Sequence, residues 1–176
     1  RINLNASVAT VEIQFPYFVL KKAPISNQES FTKYSCRIDG QKSVDTYDFT
    51  VSVGVPILTL CPCSKEISDR GAHNQRAIVW IHVRSKRLIW FEELIEYAEK
   101  SSSSPVYTIL KRVDEKFVTE SAYDNPRFVE DVAREIALKL NDDSRISWYK
   151  IEVESFESIH DHNAYACVTK NKEEVE

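Results

Sequence analysis

NPRFVEDVAREIALKLNDDSRISWYKIEVESF, residues 125–156, changes its hydrophobic period half-way along and so decides the fold class. Val129, Val132, Ala133, Ile136, Ala137 and Leu140 recur at steps of three and four, which gathers them into one stripe of a helix over residues 126–140. Asn125 is positioned to cap that helix and Pro126 suits its first turn. Residues 145–156 then alternate in the manner of a strand, and residues 163–169 (NAYACVT) supply an antiparallel partner for it. A helix feeding directly into an antiparallel pair marks an α+β chain.

Working towards the N-terminus, Trp90, Phe91, Leu94, Ile95 and Ala98 give a second helical stripe over residues 90–100, ended by Ser101 to Ser104 and Pro105. Residues 44–57 and 75–84 read as two strands that pair, and residues 6–20 and 31–38 as two more, with KKAPISNQES as a loop and Asp39-Gly40 as a turn signal. From about residue 42 the order is strand, strand, helix, helix, strand, strand. Residues 1–41 add strands without helices of their own, and the chain carries no residue-level internal repeat.

The composition, 43% hydrophobic and 28% charged in 176 residues, is that of a globular domain with a proper core. A net charge of −4 argues against a general nucleic-acid binder. No run approaches the roughly 18 apolar residues of a membrane span, and the first residues do not form a secretion signal, so the expected compartment is the cytoplasm, with no membrane partner. The chain starts at Arg1 and contains no methionine, from which we expect that part of the N-terminus is missing.

Chemistry concentrates in LCPCSKEISDRGAHNQRA, residues 60–77. Cys61 and Cys63 precede His73 in the spacing Cys-x-Cys-x9-His, and thiolate with imidazole suits zinc or a similar ion. The same residues also suit a plain loop of half-buried thiols, or a structural zinc whose further ligands lie elsewhere. Lys65, Arg70 and Arg76, with Lys111, Arg112 and Lys116 near Asp114-Glu115, are either a solvated surface or collectors of a polyphosphate. Glu130 lies at the edge of the apolar stripe, less solvent-facing than Asp131 or Glu135; it either pairs with Arg134 or lines a pocket wall. His160 and His162 sit at the turn between the last two strands, where a histidine beside a metal can carry protons. His82 reads as a sheet residue, and Cys36 and Cys167 as small core residues.

Three stretches, residues 60–77, KRVDEKFVTESAYDNPRFVED (111–131) and ESFESIHDHNAY (154–165), resemble in that order the GTP cyclohydrolases of type IB, metal-dependent members of the tunnelling-fold (T-fold) group. The resemblance implies an antiparallel sheet with two helices on one face. It also implies tandem units, the first incomplete here (1–41) and the second complete (42–176). Homotetramers with sites at subunit interfaces are implied as well. By the same resemblance Cys61, His73 and Glu115 are metal ligands, with Cys63 either a ligand in the absence of substrate or a group near the reacting carbon. Glu130 anchors the purine, and His160 transfers protons. Lys65, Arg70 and Arg76 are candidates for the triphosphate. The implied reaction opens the guanine imidazole ring of GTP at C8 and yields formate and 7,8-dihydroneopterin triphosphate, for folate or the modified base queuosine. The divalent ion is left open between zinc, manganese and iron. The alternatives are another T-fold enzyme acting on a pterin or deazapurine, and a noncatalytic zinc-stabilised domain.

Overall fold

The computed structural model describes residues 6–172. In chain order its elements are β1 (Ala9–Lys22), β2 (Glu29–Lys42), β3 (Tyr47–Leu60), α1 (Pro62–Ile67), β4 (Asn74–Ser85), α2 (Phe91–Ser101), β5 (Ser104–Pro105), α3 (Arg112–Asp124), α4 (Val129–Asp142), β6 (Ile146–Ser155) and β7 (Ala164–Asn171). The strands form one antiparallel sheet in the order β1-β2-β3-β4-β6-β7. The short β5 pairs with Ile57 and Leu58, beyond the point where β2 leaves β3. This is an α+β architecture of the T-fold type.

One face of the sheet is apolar because the alternation of each strand is held in register across its neighbours. Val53 lies opposite Ile81 and Ile81 opposite Ile151, with Cys36 beside Val53 on the other side, and all four are fully buried. α2 and α4 cover this face with the stripes read from their sequences, Leu94, Ile95 and Ala98 from one and Val132, Ile136 and Leu140 from the other. Burying each large aliphatic side chain contributes about 1.5–3 kcal/mol. On the opposite face Trp80 lies over Gly54, where an added Cβ would meet its ring at 2.8 Å.

Several local readings change. Asp39 and Gly40 are not a turn: they pair on both sides within β2, and the chain reverses at Ser43–Thr46, where Ser43 N–H donates to the Thr46 carbonyl. Asn125 does not cap α4. It ends α3 and donates from Nδ2 to the Ser102 carbonyl, while α4 begins at Val129 and Asp131 accepts the Phe128 N–H. The Arg127 N–H is drawn away to the Leu60 carbonyl, which holds residues 125–128 off the helical path. Cys167 is exposed on β7 rather than in the core, because no strand or helix of the described residues covers that face, whereas Cys36 is buried. α3 is an additional helix. Its Asp114 is buried and accepts from Ile25 N–H, Ser26 N–H, Ser26 hydroxyl and Lys111 N–H, fastening the β1–β2 loop to the helix start.

Candidate active site

At one end of the sheet the inward rows turn from apolar to polar. Ile57 and Ala77 are succeeded, one row further on, by Thr59 opposite Gln75, while Ser155 lies opposite Ala77; all three polar side chains are buried. The first turn of α4 stands over them. The result is a cavity of about 230 Å³ lined among others by Cys61, His73, Gln75, Arg127, Glu130, Glu157, His160 and His162.

The Cys-x-Cys-x9-His segment folds back on itself through a set of short contacts. Cys61 caps α1, its sulfur accepting the Ser64 N–H at 3.4 Å, with Pro62 as the first helical residue. Gly71, at φ +122°, lets the chain reverse where a side chain would strain it. The return is closed by Cys61 N–H donating to the His73 carbonyl at 3.1 Å and His73 N–H donating to the Ser64 hydroxyl at 3.0 Å. Two residues twelve positions apart in sequence thereby share one wall of the cavity.

His73 Nδ1 lies 2.9 Å from Gln75 Oε1. His160 reaches the same space from the β6–β7 turn, its ring 6.4 Å from that of His73 and 5.3 Å from that of His162. Below them, Gln75 Nε2 donates to Thr59 Oγ1 and Glu157 Oε1, and the Ser155 hydroxyl donates to the same carboxylate oxygen at 2.9 Å. Glu130 lines the cavity from the first turn of α4, whose free N–H groups favour an anionic neighbour.

Glu130 is more exposed than Asp131 and Glu135, contrary to the helical-wheel reading. Its neighbours are drawn inward by partners: Asp131 takes the Phe128 N–H and Arg134, and Glu135 pairs with Arg127. Arg134 is thus occupied by Asp131, and Glu130 is left facing the cavity mouth.

The other site residues read from sequence lie elsewhere. Cys63 is exposed on α1 and does not line the cavity. Glu115 faces solvent on α3, 3.9 Å from Arg112. Lys65 donates to the Tyr123 carbonyl and lies over its ring. Arg70 and Arg76 are exposed and outside the cavity. His82 sits in β4, as read, between Ser52 and Glu152; burial lowers its pKa more than the Glu152 carboxylate raises it. The cation that does line the cavity is Arg127, with Nε on Asn125 Oδ1. Sequence reasoning missed Arg127, Gln75 and Glu157, although all three lie within or beside the stretches that carried the resemblance.

Cys61 and His73, which line the same cavity, are of the residue kinds that could hold a borderline divalent cation, and the contact to Gln75 engages His73 through Nδ1 rather than Nε2. Among the described residues no group of three or more His, Cys, Asp or Glu side chains stands ready to hold a metal ion.

Residues 1–166 match the family model described as type I GTP cyclohydrolase FolE2. The chain belongs to this family. It is similar to a GTP cyclohydrolase FolE2 of Pseudothermotoga lettingae, 76% identical over 99% of the chain and 67% of that relative. FolE2 proteins of Fervidobacterium nodosum and Thermotoga maritima are 56% and 58% identical over 96% and 95% of the chain, and over 65% and 64% of their own lengths. The chain therefore spans about two thirds of the length of these FolE2 relatives.

Proposed function

We propose that this chain carries the site of a GTP cyclohydrolase, which opens the imidazole ring of GTP by water and forms 7,8-dihydroneopterin triphosphate and formate. The observation that carries the reading is the meeting of Cys61, His73, Glu130 and His160, from four separate elements and turns, around one cavity. The identity to FolE2 proteins supports the substrate.

Glu130 accepts the N–H edge of the guanine, a task for which its position at the cavity mouth is suited. Arg127 is the candidate partner for the substrate's anionic portion, with Lys65, Arg70 and Arg76 further out. His160 exchanges protons with the opening ring, and its neighbour His162 lies close enough to share them. Cys61 and His73 hold a divalent cation, zinc, manganese or iron; Glu115 as a third ligand, and Cys63 beside it, rest on the family resemblance alone. When bound, that cation supplies Lewis acidity to the hydrolytic step. Residues 1–41 are proposed as the last strands of a first T-fold unit and 42–176 as the second, in a cytoplasmic homotetramer whose sites lie at subunit contacts.

The test is incubation with GTP and zinc, manganese or chelator, then oxidation and detection of neopterin fluorescence together with formate. Metal-dependent appearance of both is expected. Cys61→Ala should abolish it, Glu130→Gln should lower kcat/KM by about 10–100-fold, and His160→Ala should lower kcat by about 10²–10⁴-fold. Full activity in any of these variants removes the corresponding role.

A further inference from the structure

The contacts behind His73 constrain which groups donate. Glu157 is a carboxylate and accepts: its Oε1 takes the Ser155 hydroxyl at 2.9 Å and the Gln75 side chain at 3.3 Å. The Gln75 group facing Glu157 must therefore be the NH2. Thr59 is compatible with this, because its hydroxyl accepts from Gln75 Nε2 at 3.3 Å while its own proton has Ser155 Oγ at 3.2 Å and the Gln75 backbone carbonyl at 3.4 Å as acceptors. With the NH2 so fixed, Gln75 Oε1 is what faces His73 Nδ1 at 2.9 Å, and an oxygen there requires the proton on Nδ1. The Ser158 hydroxyl, 3.4 Å from the same oxygen, adds a second donor to it.

We propose that Gln75, oriented by Glu157, is a positioning residue that fixes the tautomer of His73, holding the proton on Nδ1 and leaving the Nε2 lone pair bare towards the cavity. The usefulness of this rests on the proposed role of His73 as a metal ligand, since a ring protonated at Nε2 offers that cavity no lone pair. Gln75 is buried and Thr59 and Ser155 almost completely so, which keeps water from substituting for the amide. The arrangement is part of the sheet: Gln75 and Thr59 are register partners, and Phe156 N–H continues the β4–β6 ladder by donating to the Arg76 carbonyl, which brings Glu157 alongside.

The test reads the two imidazole nitrogens of His73 by heteronuclear NMR in the full, metal-free chain with the ring neutral, where protonated and bare nitrogens resonate far apart. The wild type is expected to show the proton on Nδ1. Gln75→Leu is expected to move population to Nε2–H and to weaken zinc binding by about 10–100-fold in competition with a chelator. Glu157→Gln, which frees the Gln75 amide to flip, is expected to give a mixture of tautomers and serves if Gln75→Leu does not fold. The double exchange Q75E/E157Q restores an acceptor facing Nδ1 and a donor facing back, and is expected to recover the wild-type tautomer. A wild-type tautomer in both single variants, or a double exchange that folds yet fails to recover it, overturns the proposal. Zinc affinity unchanged by His73→Ala overturns the metal-site reading instead, and the tautomer measurement is independent of that result because it needs no metal.

Discussion

Asp114 and Glu115 are neighbours in sequence with opposite surroundings. Asp114 is buried at the start of α3; burial raises its pKa, but the hydrogen bonds from Ser26, Lys111 and Ile25 outweigh this and hold the carboxyl well below the usual range. Because the folded-state pKa is depressed, its stabilising contribution is complete above the ordinary carboxylate value of ~3.9 and is lost as pH falls through the folded value. Asp114→Asn turns an amide donor towards groups that all donate, so the variant should melt below the wild type at neutral pH. The difference in melting temperature should shrink as acid protonates the wild-type carboxyl; a gap that is constant with pH would contradict the charge argument. Nothing in the sequence distinguishes the two acids, since the donors to Asp114 come partly from a loop 88 and 89 residues away. The same holds at the cavity: Cys61, His73 and His160 announce themselves by type, while Gln75 and Glu157 are ordinary residues until the register of β4 and β6 brings them under His73.

Among the elements, α4 is legible because its stripe is complete and its burial strong. Ile136 is fully buried, whereas Leu138 on the outer face is 54% exposed. Ile136→Ala should cost about 2–5 kcal/mol in equilibrium denaturant unfolding, and Leu138→Ala should fall within about 0.5 kcal/mol of wild type. Comparable losses would mean that α4 does not pack as described. Its start is misleading in the sequence because Asn125 and Pro126 are good opening signals for a helix, yet both residues serve the connection from α3. α3 itself gives no helical stripe: among its buried residues are only Asp114 and Ala122, while Val113 and Phe117 are 53% and 43% exposed. A helix whose apolar residues do not gather on a buried face leaves no period to read.

At the scale of the whole molecule, the sheet has two open edges, β1 and β7, among the described residues, and β1 carries exposed Val11, Ile13, Phe18 and Leu20. Unpaired edges and exposed apolar side chains suit a subunit that assembles through its sheet. The sheet also runs unbroken from β2 into β3 across residue 42, where the two proposed units meet. Light scattering should give four chains per particle, and dilution to subunits should lower specific activity; a fully active monomer would remove the tetramer from the proposal. Among the described residues no helix is long and apolar enough to cross a membrane.

The sequence by itself determined the element types with buried faces and the chemical kinds available at the site, because alternation and helical stripes are local and thiols, imidazoles and carboxylates keep their character wherever they fall. Only the tertiary structure decided which of them meet. It placed Arg127, Gln75 and Glu157 in or beside the cavity with Cys61, His73, Glu130 and His160, and left Cys63 and Glu115 outside it. The physical reason is that convergence depends on strand register and on where α4 begins. Both are fixed by backbone hydrogen bonds between residues distant in sequence, such as Arg127 N–H to the Leu60 carbonyl and Phe156 N–H to the Arg76 carbonyl.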